Sequence, residues 1–94
     1  MKAVVFYERA AVSGERIMEI YPRHKTFINL FAKDGKVIAI GAFAEDIDSS
    51  MNFGSMGIFK DKQAAEDFVK QDPFVLEGAV AKAIIREWNE LLLP

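Results

Sequence analysis

The run Val37-Ile38-Ala39-Ile40-Gly41-Ala42-Phe43-Ala44 is the longest apolar stretch of the chain. Spanning a bilayer takes about 20 apolar residues, so this run falls far short. It reads as a strand, extended to Val37–Glu45. Strand side chains point alternately to opposite faces, which sets Val37, Ala39, Gly41 and Phe43 against Ile38, Ile40, Ala42 and Ala44. Neither set is polar. The N-terminal segment Lys2–Tyr7 repeats the pattern, with Val4 and Phe6 on one face and Ala3, Val5 and Tyr7 on the other. A sheet built from such strands is apolar on both sides, unlike an antiparallel sheet with one face in water.

Outward from these two strands the remaining elements follow in order. Ala10–Tyr21 contains the turn signal Ser13-Gly14 and reads as a loop with one helical turn. Pro22 suits the first position of a helix, where its missing N–H would be unpaired anyway. Phe27, Ile28, Leu30, Phe31 and Ala32 then fall on one broad face, and Asp34-Gly35 closes the element. Asp46–Gly54 is a polar, turn-rich loop. Ser55–Lys60 reads as the third strand. Asp61 is a good N-cap for a helix ending near Gln71, with Ala64, Ala65, Phe68 and Val69 inward. Pro73 stops that helix, and a connection through Gly78 leads to a last strand over Ala79–Trp88. The order βαββαβ is that of a ferredoxin-like α+β protomer. Two helices cover one sheet face only. The other would leave a large apolar patch in water, so the expected solution is a homodimer whose sheets pack face to face.

Composition narrows the function classes. With 94 residues the chain makes one domain, 1–94. Its 12 basic and 14 acidic residues leave a net charge of -2, which does not suit nucleic acid or anionic lipid as a partner. There is no Cys and one His, which removes disulfides and thiolate chemistry and argues against a transition-metal site. Nothing in the sequence calls for a cofactor. Glu8 and Arg9 interrupt the apolar N-terminal segment before a signal-peptide core forms, so the expected location is cytoplasmic.

The single histidine, His24, is the natural proton carrier, because an unperturbed imidazole titrates at about 6.5. Its neighbours Arg23 and Lys25 also fit a plain solvated helix residue. Asp72 is the candidate partner, although an Asp before Pro commonly bonds its own turn. A His24–Asp72 pair would fix one ring nitrogen and free the other to accept a proton from a ligand. Helices running antiparallel on one sheet face would bring the start of the first, at His24, to the end of the second, at Asp72. Ser55 and the backbone at Gly54 are candidates to bind an enolate or phenolate oxygen. Tyr7 is a further candidate ligand contact, or simply a packed aromatic.

His24, Gly41, Gly54-Ser55, and Asp72-Pro73-Phe74 followed by Gly78 occur in an order and spacing that resembles the YCII-related family of small dimeric α+β barrel proteins. The chain departs from the family pattern at Ala42, where a proline commonly follows the glycine. The resemblance implies a ferredoxin-like protomer, dimerisation through the sheets and a pocket holding the His24–Asp72 pair. It also implies, from a few relatives, elimination of HCl from chlorinated or hydroxylated rings. The expected function is therefore proton transfer in an isomerisation or elimination on a small carbonyl or ring compound. A homodimeric ligand-binding module without turnover is the alternative.

Overall fold

A computed structural model of the chain describes residues 1–44 and 53–91. Strand β1 (Lys2–Arg9) is followed by α1 (Gly14–Lys33), β2 (Val37–Ala42), β3 (Phe53–Phe59), α2 (Lys62–Gln71), α3 (Pro73–Leu76) and β4 (Val80–Trp88). The four strands form one antiparallel sheet in the order β2-β3-β1-β4, the ferredoxin-like arrangement. Segment 45–52, with most of the loop expected at Asp46–Gly54, lies outside the described residues. Among the described residues no helix is long and apolar enough to cross a membrane.

The alternation of β1 sorts its residues as the pleat requires. Ala3, Val5 and Tyr7 face the helices and join Phe31, Phe59, Ala64, Ala65 and Phe68 in the core. Phe68 is its hub, with ring centroids 5.0 Å from Phe27, 5.4 Å from Phe31 and 4.9 Å from Phe59. Gly57 lies beneath that cluster: a Cβ there would come within 2.9 Å of the Phe59 ring and 3.3 Å of Ile40. Phe68→Ala should cost about 3–5 kcal/mol by opening a cavity among these rings. Urea unfolding of both proteins checks it, and a loss under 1 kcal/mol would show that the rings close the gap.

Three features depart from the linear reading. First, the helix does not begin at Pro22. It begins at Gly14, capped by Ser13, whose Oγ accepts from the Arg16 N–H at 3.1 Å, and Pro22 lies inside it. An internal proline forfeits one backbone bond and crowds the carbonyl four residues back. Burial of Ile20, His24 and Phe31 along one stripe of the same helix outweighs that cost. Second, Val37 pairs with Phe59 while Ala39 pairs with Ile58, so Ile38 is the extra residue of a bulge. Val37 therefore packs toward the core with Ile40 instead of sharing a face with Ala39, and Ile38 is 49% exposed. Third, β2 ends at Ala42, short of Glu45, and Pro73 opens the short helix α3 where a plain connection was expected.

The second helix is as read, with Asp61 Oδ1 accepting from the Ala64 N–H at 2.8 Å. On the sheet face away from the helices, pairing lines up Val4, Ile58 and Ala39, and beside them Met56 and Ile84. That face is apolar across its centre.

Candidate active site

Asp72 occupies the joint between α2 and α3. Its N–H donates to the Phe68 carbonyl at 2.9 Å, closing α2, and its carbonyl accepts from Val75 at 2.9 Å and Leu76 at 3.0 Å, opening α3. The Phe74 N–H donates to Oδ1 at 3.0 Å, the usual reach of an N-cap aspartate. Pro73, with its fixed φ, suits the first position of α3. The local sequence Asp-Pro-Phe thus sets where this carboxylate points.

Tertiary packing then brings two more donors to it. His24 Nδ1 lies 2.7 Å from Oδ1 and the Tyr7 hydroxyl donates to Oδ2 at 2.7 Å. Asp72 is 0% exposed and His24 8%. A carboxylate offered three donors is an acceptor at every contact, so the imidazole carries its proton on Nδ1. His24 lines the cavity described below, and its Nε2 has no hydrogen-bond partner among the described residues. The imidazole also stacks on Phe74, with centroids 3.9 Å apart and planes inclined by 25°.

The expectation that His24 stands at a helix start is therefore corrected: it sits well inside α1. The long-range pairing arises because α3 packs against the middle of α1. Arg23 clamps that contact, its Nε donating to Glu77 Oε2 at 2.9 Å, with Arg16 at 3.4 Å from the same carboxylate. The hydrogen bond from Arg23 holds the Glu77 carboxyl below the usual carboxylate range, against the opposing effect of desolvation.

A cavity of about 330 Å³ separates α1 from the sheet. His24, Tyr21 and Ile28 of α1 and Phe74 of α3, stacked on His24, line it together with Ile40 and Ser55 of the sheet, while Asp72 stands behind the wall. Lys25 also lines it, and none of the described lining residues is acidic. Ser55 pairs with Tyr7 in the sheet. Gly54 is not among the lining residues. It is the extra residue of a bulge opposite Tyr7 and Glu8, and its carbonyl accepts from the Phe43 N–H at 2.9 Å. Among the described residues no three His, Cys, Asp or Glu side chains gather to hold a metal. Sequence reasoning had no role for Tyr21 at this site, took Lys25 only as a charged neighbour of His24 and Phe74 only as part of the Asp72-Pro73-Phe74 run. For Phe74 the signal was its place after Asp72-Pro73, while Tyr21 joins His24 only once α1 is known to run through Pro22.

Burial, then the charge of Asp72 and the bond to it, push the Tyr7 phenol well above its ordinary value. The chain has two tyrosines, and Tyr21 is 44% exposed. As pH rises past about 10, an unfolded Tyr7 phenol ionises while the folded one stays protonated. The unfolded chain therefore binds fewer protons than the folded one, and stability falls with further rise in pH. In Tyr21→Phe, where Tyr7 is the one tyrosine left, tyrosinate absorbance should appear together with unfolding; tyrosinate formed while the protein is still folded would contradict the buried Tyr7–Asp72 bond.

The fold has counterparts among known proteins. In fold the chain is similar to the 5-chloro-2-hydroxyhydroquinone dehydrochlorinase TftG of Burkholderia phenoliruptrix AC1100, whose structure holds 2,5-dihydroxybenzoquinone. The TM-score is 0.72 at 20% identity, over 95% of this chain and 94% of that one. It is also similar to SnoaB, a cofactor-independent oxygenase of Streptomyces nogalater, with a TM-score of 0.56 at 12% identity over 97% and 94% of the two chains. A hydroxynitrile lyase of Passiflora edulis matches with a TM-score of 0.52 at 17% identity over 98% and 95%. No curated protein matches in sequence. At these identities the structural likeness speaks for the fold alone. The family model of the YCII-related domain matches residues 1–89, and the chain belongs to that family.

Proposed function

We propose that the cavity is an active site in which His24 Nε2 takes a proton from a small ring or carbonyl compound. The observation that carries this reading is the 2.7 Å contact between His24 Nδ1 and an Asp72 carboxylate with no exposed surface. Asp72 holds the tautomer and stabilises the imidazolium that forms. Removing a proton from a carbon beside a carbonyl, or from a ring hydroxyl, leaves an enolate or phenolate. Ser55 lies on the wall to hydrogen-bond that oxygen, and Lys25 supplies positive charge on a wall whose described lining residues include no carboxylate. In an isomerisation the imidazolium returns the proton at another atom of the ligand. In an elimination the electron pair expels an anionic leaving group and the proton passes to solvent. A hydroxylated, halogen-bearing ring is the substrate class favoured, on the support of the dehydrochlorinase similar in fold.

The working unit is proposed to be a homodimer closed through the outer sheet face. The test of the reaction is a turnover screen of chlorinated hydroquinones and related hydroxylated rings with the wild type and His24→Ala. Halide release by the wild type alone supports the reading. Binding of these compounds to both proteins with no conversion by either would replace the enzyme with a ligand-binding module.

A further inference from the structure

Each donor to Asp72 has a different origin. The Phe74 N–H is the local cap, and His24 is the ring that the carboxylate orients. The third, the Tyr7 hydroxyl, comes from β1, 65 residues away in the chain, and takes the oxygen that the other two leave. A phenylalanine would fill the same core position without the desolvation that a hydroxyl brings. A carboxylate held at one oxygen can still turn about its Cβ–Cγ bond. With Phe74 on Oδ1 and Tyr7 on Oδ2 its plane is fixed, and an Oδ1 lone pair stays directed at Nδ1.

We propose that Tyr7 is a positioning residue whose hydroxyl locks the Asp72 carboxylate, thereby holding His24 in the Nδ1–H tautomer and presenting Nε2 to the cavity. The Tyr7 hydroxyl is then a structural donor committed to Asp72, and only its ring meets a ligand. Among the described residues, other polar groups near the pair do not substitute for it. Tyr21 lies with its ring 6.4 Å from that of His24, Lys25 is on the cavity wall, and Arg23 and Glu77 bond each other. None of these bonds to the Asp72 carboxylate. The inference rests on the proposed function only for its catalytic consequence, since the tautomer is observable without a substrate.

The test is nitrogen NMR of the whole chain, in which the one histidine makes the imidazole signals self-assigning. At pH well above the ordinary histidine range, the wild type should carry its proton on Nδ1, seen as a downfield, slowly exchanging N–H. In Tyr7→Phe that proton should exchange about tenfold faster, the scale of one lost hydrogen bond, and the Nε2–H tautomer should appear. Fluorotyrosine placed at position 7 keeps the ring and strengthens the donor, so it should move the Nδ1–H resonance upfield even if Tyr7→Phe does not fold. A wild-type ring protonated on Nε2 would overturn the proposal. So would unchanged tautomer and exchange in a folded Tyr7→Phe, or an unmoved resonance with fluorotyrosine. Full turnover by His24→Ala would remove the proton-transfer reading and leave the NMR result intact.

Discussion

His24→Ala is expected to lower turnover by about 10²–10⁴-fold, the usual contribution of a positioned acid–base group. The ring is largely enclosed, so its loss leaves a small void beside Phe74 and a carboxylate short of one donor. Circular dichroism should nevertheless report a folded protein, because Tyr7 and Phe74 still satisfy both oxygens of Asp72. Asp72→Asn should cost nearly as much in kcat while retaining ligand binding. An amide in that place offers a donor on one side and no longer enforces the Nδ1–H tautomer. The double variant should be little slower than either single one, since residues acting as a unit are not additive. Steady-state kinetics on the three proteins decides this; kcat preserved in His24→Ala would end the assignment of His24 as the base.

The second large effect concerns assembly. Ile58 stands at the centre of the outer face, paired with Val4 on β1 and Ala39 on β2. If two sheets pack there, Ile58→Lys places two like charges in an apolar interface, one from each copy. Association should weaken on the order of a hundredfold or more. Sedimentation of the wild type at micromolar concentration should give twice the 10.6 kDa chain mass, and the variant should run as a monomer or lose its fold. A wild type that sediments as a monomer would remove the face-to-face dimer, and with it the reason for a strand apolar on both sides.

Ferredoxin-like topology and the second helix were legible because their signals are local. Asp61 caps the helix that follows it, Pro73 limits the one before it, and the apolar runs at Val4 and Val37 read as strands without any partner. At the site, Asp72 was singled out by the family resemblance, while its place before Pro73 suggested only a local turn bond; that it caps a short helix, which sets the direction of the carboxylate, is seen only in the structure.

Other features depended on packing between distant parts of the chain. Pro22 is a good first helical residue, and only the buried stripe of Ile20, His24 and Phe31 carries α1 through it from the Ser13 cap. Strict alternation along β2 fails at Ile38 because register is set by the neighbouring strand, which offers one residue where β2 offers two. Tyr7 carries no sign in the sequence that its hydroxyl belongs to Asp72. The sequence by itself determined which groups could do chemistry and the order of the elements that hold them. Only the tertiary structure decided which oxygen each donor takes and which ring nitrogen meets the carboxylate, because backbone caps act over three or four residues whereas a buried carboxylate is satisfied by whatever side chains the packed core brings within about 3 Å.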